Sequence, residues 1–320
     1  MAFNGQLENE FMWFQKYRPQ TLEEMILPKK IRQTIQAYLN VGKIPHLLFV
    51  SPMAGIGKST LANLITSEMQ ADFIDLNSSD DNGISTVRNI LKPFATRESL
   101  FGDCKIAWLD EFDGTSQAFQ ESFRSLMEKY SDNVSFIATA NYETKILPPL
   151  RDRFTIIDFN FNRPSIKGEM ISPMIKRVFS ILDKEGVEYD EEAVMLFVDK
   201  NFPKLRNILK VLQQYALSNG NVIDRGILQI NVLDDTFFNL VLDGNYTKAK
   251  EWVLTNDIPI DVTYTELYER FLPKLNNDKS KYAPSLIKIN QHQVWHGQAI
   301  NPELNFLALL MELCILMKSK

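Results

Sequence analysis

From His46 to Phe159 the chain alternates short apolar runs with amphipathic stretches. The runs are His46 to Val50, Phe73 to Leu76, Ile106 to Leu109, Val134 to Ala140 and Thr155 to Phe159, and helical patterns start near Lys58, Ile84 and Thr115. Strands apolar on both faces and separated by helices require a parallel sheet covered on both sides, so the first region reads as a doubly wound α/β fold. Ahead of it Ile31, Ile35 and Leu39 recur at helical spacing, and Gly42 supplies a stop. After Phe161-Asn162-Arg163-Pro164 the strand signals fade. Helical patterns follow over Ile171 to Leu182, Glu191 to Val198 and Lys204 to Ala216. From about Val232 the chain is again mostly helical and closes on the apolar run Leu304 to Met317, with a loop-like polar stretch at Asn276 to Lys281. The expected domains are therefore an α/β nucleotide-binding domain over 1–161, a small helical lid over 162–230 and a helical collar over 231–320.

Composition narrows the class. A chain of 320 residues with 45% hydrophobic and 11% aromatic content can build two or three cores. No apolar run approaches the roughly 20 residues of a membrane span, and Met1 to Glu10 carries neither a basic start nor an apolar signal stretch, so a cytoplasmic location is expected. Cys104 and Cys314 alone suggest neither a disulfide framework nor a four-ligand zinc site, and both read as buried apolar side chains. His292 and His296 stand at i and i+4, but Gln293 occupies the place of a protease glutamate and no third ligand is in view, which sets a metal site aside. The net charge is -5, and residues 231–320 hold nine Lys/Arg against eleven Asp/Glu, which argues against a basic DNA-reading module at that end.

Chemistry is concentrated in two places. Pro52-Met53-Ala54-Gly55-Ile56-Gly57-Lys58-Ser59 has what a phosphate loop needs: glycines that let backbone N–H groups turn inward, a lysine for the β and γ phosphates, and a hydroxyl for Mg²⁺. Pro52 departs from the usual glycine at its first position. The loop follows a strand and opens a helix whose N-terminus, with Thr60 in its first turn, faces the phosphates. About fifty residues on, the apolar run Ile106 to Leu109 ends in Asp110 and Glu111. Asp110 suits Mg²⁺, and Glu111 suits the orientation and deprotonation of an attacking water. ATP and Mg²⁺ are thus the expected ligands, and Glu111 points to hydrolysis rather than binding alone.

Over essentially its whole length the chain resembles the AAA+ ATPase subunits of DNA-polymerase clamp loaders. The resemblance is carried by Trp13-Phe14-Gln15-Lys16-Tyr17-Arg18-Pro19, the phosphate loop, Leu76-Asn77-Ser78-Ser79-Asp80 with Gly83-Ile84 and Val87-Arg88, and Asp110-Glu111-Phe112-Asp113. Ala140-Asn141, Pro149-Leu150 through Arg153, and Leu205-Arg206 before Leu212-Gln213 extend it. Asp110-Glu111-Phe112-Asp113, the Pro52 departure and the His296-Gly297 region before Asn301-Pro302-Glu303-Leu304 look most like large subunits of T4-type bacteriophage loaders.

The resemblance implies a role for each matching residue. Asn141 would sense the γ-phosphate and position water, and Arg206 would reach from the lid to the same nucleotide. Lys16 to Pro19 resembles a strand beside the adenine, where Tyr17 or Arg18 would contact base or ribose. Arg153 would be an arginine finger acting on the neighbouring subunit's ATP, with Arg151 as a competitor; the family's Ser-Arg-Cys reads Asp152-Arg153-Phe154 here. Primer-template DNA would be gripped by its backbone at helix starts carrying Ser85, Thr86, Arg88, Thr115 and Ser116, with Lys92 on the face of Arg88. Gln120 and Arg124 would relay DNA contact to Glu111. Leu100 and Phe101 would meet a sliding clamp. Implied partners are the clamp, DNA, further copies of the chain and a smaller loader subunit, in a pentamer. The alternatives are another DNA-associated AAA+ motor, such as a branch-migration helicase or replication initiator, and a scaffold subunit that binds ATP without turnover.

Overall fold

The structure, a computed structural model, describes residues 11–78, 83–99, 104–229, 235–256, 263–264, 266–296, 299 and 301–318. The chain divides into two compact units, Met1–Asp224 and Arg225–Lys320.

The first unit is built on five parallel strands, β1 (Leu47–Val50), β2 (Asp72–Asn77), β3 (Lys105–Asp110), β4 (Ser135–Ala140) and β5 (Thr155–Asp158), in the order β2-β3-β4-β1-β5. All five sequence runs become strands. Their side chains alternate between two cores: Leu47, Phe49, Ile106 and Ile137 enter one, and Leu48, Ala107, Leu109, Phe136 and Ala138 the other. In the central strands β1, β3 and β4, period-two geometry with both faces covered leaves little room for polar side chains, which is why they read as nearly continuous apolar runs. The helix Lys29–Val41 buries Ile35, and Gly42 ends it with φ +71°, its N–H reaching Leu39 O at 3.1 Å. The chain from Ile84 to Thr96 is helical with one wide turn at Val87–Leu91, where the Lys92 N–H reaches back to Val87 O.

Beyond the sheet the same unit carries the helices Pro164–Lys184, Glu191–Asn201 and Leu205–Ser218. The purely helical expectation for this stretch needs one correction. A parallel pair of two-residue strands, β6 (Glu188–Tyr189) and β7 (Val222–Ile223), joins its ends. Two residues are too few to leave a periodic signal.

The second unit is helical among its described residues: Asp235–Leu242, Tyr246–Asn256, Lys279–His296 and Pro302–Lys318, with shorter turns at Leu267–Phe271 and Leu272–Leu275. Phe237, Phe238, Phe271, Phe306, Leu309 and Leu313 make its core. No helix among the described residues is long and apolar enough to cross a membrane.

Candidate functional site

Register sets the site. Val50 pairs with Ala140, and β3 lies beside β4, so the carboxyl ends of β1, β3 and β4 open on one edge of the sheet, where crevices of open α/β sheets form. The phosphate loop leaves β1 there. Gly55 and Gly57 have φ of +72° and +102°, left-handed values that glycine adopts without penalty. Side chains at either position would also crowd the loop: a Cβ on Gly55 would stand 3.0 Å from the Arg206 Cβ, and one on Gly57 2.8 Å from the Met25 Cε. Ile56 is buried in the core under the loop, pinning it from below, while Pro52 is exposed. The helix Lys58–Glu68 starts directly after Gly57, with Lys58, Ser59 and Thr60 in its first turn.

The Lys58 ammonium donates to Ser51 O (2.7 Å), Met53 O (3.1 Å) and Asn141 Oδ1 (2.9 Å). Burial lowers its pKa, against the opposing fields of Asp113, Asp110 and Glu111. Lys58 and Asn141, 83 residues apart, are thereby in direct contact. Ser59 Oγ donates to Asp110 at 3.1 and 3.2 Å from its two oxygens. A hydroxyl and a carboxylate so placed form the hard-oxygen set that Mg²⁺ prefers, and the backbone cradle with Lys58 suits a triphosphate.

Glu111 directly follows β3 in a left-handed conformation, φ +54° and ψ +42°, uncommon for a residue with a side chain. Three neighbours hold it there. Its N–H donates to Thr139 Oγ1 at 3.1 Å, its carbonyl accepts from Gly114 N, and Phe112 beside it is fully buried among Phe119, Phe123 and Phe154. Thr139 also donates its hydroxyl to Asp110 Oδ1. One buried threonine therefore braces the Asp110 carboxylate and the Glu111 backbone. Asp113 braces the carboxyl end of β4, its carboxylate accepting from the N–H groups of Asn141 (3.0 Å) and Tyr142 (3.1 Å). The roles of Thr139 and Asp113 are absent from the sequence reading. The available signals were a hydroxyl inside the otherwise apolar Phe136 to Ala140 and a second acid three residues after Asp110.

Arg206 starts the helix Leu205–Ser218, its N–H 3.4 Å from Gly55 O and its guanidinium 5.9 Å from the Phe14 ring. Arg18 Nη2 lies 3.4 Å from Ser59 O. The expected strand at Lys16–Pro19 is corrected: Trp13–Lys16 is one helical turn closed by Tyr17, with the Tyr17 hydroxyl donating to Glu185 Oε1 at 2.5 Å. Arg153 is exposed and donates to Glu128 and to Pro149 O, while Arg151 lies 3.4 Å from Glu143. Phe154, in place of the small residue of the family pattern, is buried against Phe112 and His46 and leaves Arg153 at the surface.

The expected DNA contacts divide. Ser85, Arg88, Lys92 and Ser116 are exposed, and Ser116 caps the helix Gln117–Tyr130 by accepting from Phe119 N at 3.2 Å. Thr86 and Thr115 are corrected. Both are buried, the Thr86 N–H is bonded to Gly83 O, and the Thr115 hydroxyl donates to Phe112 O at 2.7 Å within its own turn. The relay through Gln120 is corrected too. Gln120 is buried and clamps the 145–147 backbone, donating to Lys145 O and accepting from Leu147 N, while Arg124 lies exposed 3.9 Å from Glu128. Leu100 and Phe101 lie outside the described residues. His292 is buried against Asn305, and no group of three or more metal-binding side chains occurs among the described residues.

Residues 47–161 match the model of the ATPase family associated with various cellular activities (AAA), and residues 167–229 that of the sliding-clamp-loader large subunit, AAA+ ATPase lid domain. Fold, phosphate loop and paired carboxylates thus define an AAA+ ATPase, a nucleotide-binding hydrolase. The chain is 35% identical to the sliding-clamp-loader large subunit of Enterobacteria phage T4 over 98% of both chains, and 34% identical to that of Escherichia phage RB69 over 93% of this chain and 94% of the other. It is 32% identical to replication factor C small subunit 1 of Pyrobaculum islandicum over 76% of this chain and 74% of that one. It belongs to the sliding-clamp-loader family and is an ATPase subunit of such a loader. The fold is also similar to the Thermotoga maritima RuvB Holliday junction branch migration motor, with a TM-score of 0.54 at 20% identity over 80% of this chain and 90% of that one. That likeness concerns the fold alone.

Proposed function

We propose that the subunit binds ATP with Mg²⁺ and, in a ring-like assembly with further copies and a smaller subunit, holds a sliding clamp open for primer-template DNA. Hydrolysis follows DNA engagement, and the clamp then closes. The domains that serve this cycle are the nucleotide-binding domain over 1–161, the lid over 162–230 and the collar over 231–320. The observation that carries the reading is the convergence of Lys58, Ser59, Asp110, Glu111 and Asn141 on one edge of the sheet, braced by Thr139 and Asp113.

In this reading Ser59 and Asp110 hold Mg²⁺, which neutralises phosphate charge when bound. Gly55, Ile56, Gly57 and Thr60 present the loop backbone to the phosphates, and Lys58 lies against the β and γ groups. Asn141 orients the attacking water and Glu111 takes its proton, while the water oxygen bonds to the γ-phosphorus and the bond to the β-γ bridging oxygen breaks. Arg206 joins from the lid, with Arg18 and Tyr17 beside the base or ribose. Arg153 crosses to the neighbouring subunit's nucleotide, where a guanidinium stabilises charge on the transferring phosphoryl group; its exposure supports that role over one in its own site. Ser85, Arg88 and Ser116 are assigned to the DNA backbone, and Leu100 and Phe101 to clamp binding.

The test is steady-state ATP hydrolysis by the subunit with its partner subunit, with and without clamp and primer-template DNA, in wild type and Arg153→Ala. Clamp and DNA together stimulate the wild type strongly. The variant loses roughly a thousandfold in turnover with ATP binding intact. Stimulation by DNA alone, indifferent to the clamp, would refute the loader cycle and leave the ATPase.

A further inference from the structure

The segment Phe11–Arg18 precedes the nucleotide fold in sequence, yet its strongest bonds go to the helices after the sheet. Gln213, 4% exposed, accepts from the Trp13 N–H at 2.9 Å and donates to Phe11 O at 2.6 Å, and Trp13 is buried beside it. Glu185 accepts from Lys16 at 2.7 Å and from the Tyr17 hydroxyl at 2.5 Å, and Arg177 donates to Tyr17 O at 3.2 Å. Glu185 stands at the C-terminus of the helix Pro164–Lys184, where a carboxylate meets the negative end of the helix dipole. Such a residue needs donors, and Lys16 and Tyr17 supply them. Burial pushes its pKa up, and the bonds from Lys16 and Tyr17 outweigh that and hold it below its ordinary value.

The segment also reaches the phosphate loop, directly through Arg18 to Ser59 O and indirectly through Phe14, whose ring faces Arg206, the residue whose N–H meets Gly55 O. Segment, lid helices and phosphate loop therefore form a closed triangle. In the nucleotide reading above, the phosphates take the loop corner and the base and ribose take the other two.

Resting on the nucleotide reading above, we propose that Gln213 and Glu185 are positioning residues: they tie the Phe11–Arg18 segment to the lid, so that it forms a wall for the nucleoside part of ATP without affecting the grip on its phosphates. The hydrogen bonds of Gln213 and Glu185 go to Phe11, Trp13, Lys16 and Tyr17, so their loss falls first on the nucleoside contacts. A glutamine making two bonds to backbone inside a core has no apolar substitute that keeps both.

The experiment displaces a fluorescent ATP analogue from full-length protein in Mg²⁺, using ATP and, separately, inorganic tripolyphosphate, which has no nucleoside. In Gln213→Leu, loss of the buried pair weakens ATP about tenfold. Tripolyphosphate affinity stays within about twofold, because Lys58 and the loop are untouched. Glu185→Gln, with its surface-side anchor weakened, gives about a threefold loss for ATP with the same indifference of tripolyphosphate; it decides the matter if Gln213→Leu does not fold. Equal weakening of both ligands, or of neither, overturns the proposal. Lys58→Ala separates the two readings. It abolishes binding of both ligands if the phosphate site is assigned correctly, and unchanged ATP binding there would overturn the nucleotide reading itself.

Discussion

Thr139→Val is a near-isosteric change that removes one hydroxyl and opens no cavity, so its consequences trace to hydrogen bonds. Two are lost. The Glu111 N–H loses its acceptor at 3.1 Å, and Asp110 Oδ1 loses the threonine hydroxyl. A partly buried amide left without a partner costs about 1–3 kcal/mol, and a hydrogen bond to a carboxylate contributes about 1.5–3 kcal/mol. Thr139 is 2% exposed, so water cannot replace the hydroxyl. The amide bond is also one of the restraints on a left-handed glutamate, a conformation that itself costs about 1–3 kcal/mol and persists only where its surroundings enforce it. Without it Glu111 relaxes toward ordinary backbone and its carboxylate moves from the position proposed for activating water. Turnover is expected to fall about 10–100-fold, as when a supporting residue behind a reacting group is lost. ATP affinity falls less than turnover, because the hydrogen bonds of Lys58 go to Ser51, Met53 and Asn141 and Asp110 keeps its bonds from Ser59. The assay is single-turnover hydrolysis of ATP by the assembled loader with clamp and primer-template DNA, beside equilibrium nucleotide binding. Thr139→Ser restores the hydroxyl and most of the rate. Turnover within twofold of wild type in Thr139→Val, with the protein folded, would refute the bracing argument.

Two further perturbations test other parts of the unit. His46, at the start of β1, accepts from Phe136 N–H at 3.2 Å through Nδ1, and burial depresses its pKa from 6.5 to about 4. The unfolded chain therefore binds the proton more readily. The neutral imidazole's contribution is complete above pH 6.5 and is lost as pH falls toward 4, a loss of about 2 kcal/mol by pH 5; denaturant titrations at pH 7 and 5 should show this excess slope in wild type and not in His46→Gln. Gly57→Ala meets only the flexible end of Met25 but must hold φ +102°, a strain of about 1–3 kcal/mol, so nucleotide affinity falls about tenfold or more. Met25→Ala in the same chain does not restore it, and restoration in a binding titration would show that contact, not backbone conformation, is the reason for glycine there.

What the sequence disclosed follows from how local each constraint is. The central strands were legible because burial on both faces filters nearly every residue of a run such as Leu47 to Val50, the edge strands β2 and β5 by short apolar runs despite their exposure, and the phosphate loop because its chemistry lies within eight consecutive positions. The Ser59–Asp110 and Lys58–Asn141 contacts follow from the strand order, so the residues were identifiable while their meeting needed the sheet. Thr86, Thr115 and Gln120 went the other way. A hydroxyl or amide near a helix start looks the same in sequence whether it faces a ligand or closes the helix's own turn, and three-dimensional burial alone decides. The supporting residues were the least visible. Thr139 lies 29 residues from Asp110 and Gln213 lies 200 from Trp13, each joined to its partner only by the fold. Residues that contact the phosphates must have particular chemistry in a particular order, so they form motifs. Residues that hold those in place need only one donor or acceptor at the right point in space, and many chain positions can supply it. Substitutions in the supporting residues should therefore change rates and ligand preference while every recognisable motif stays intact.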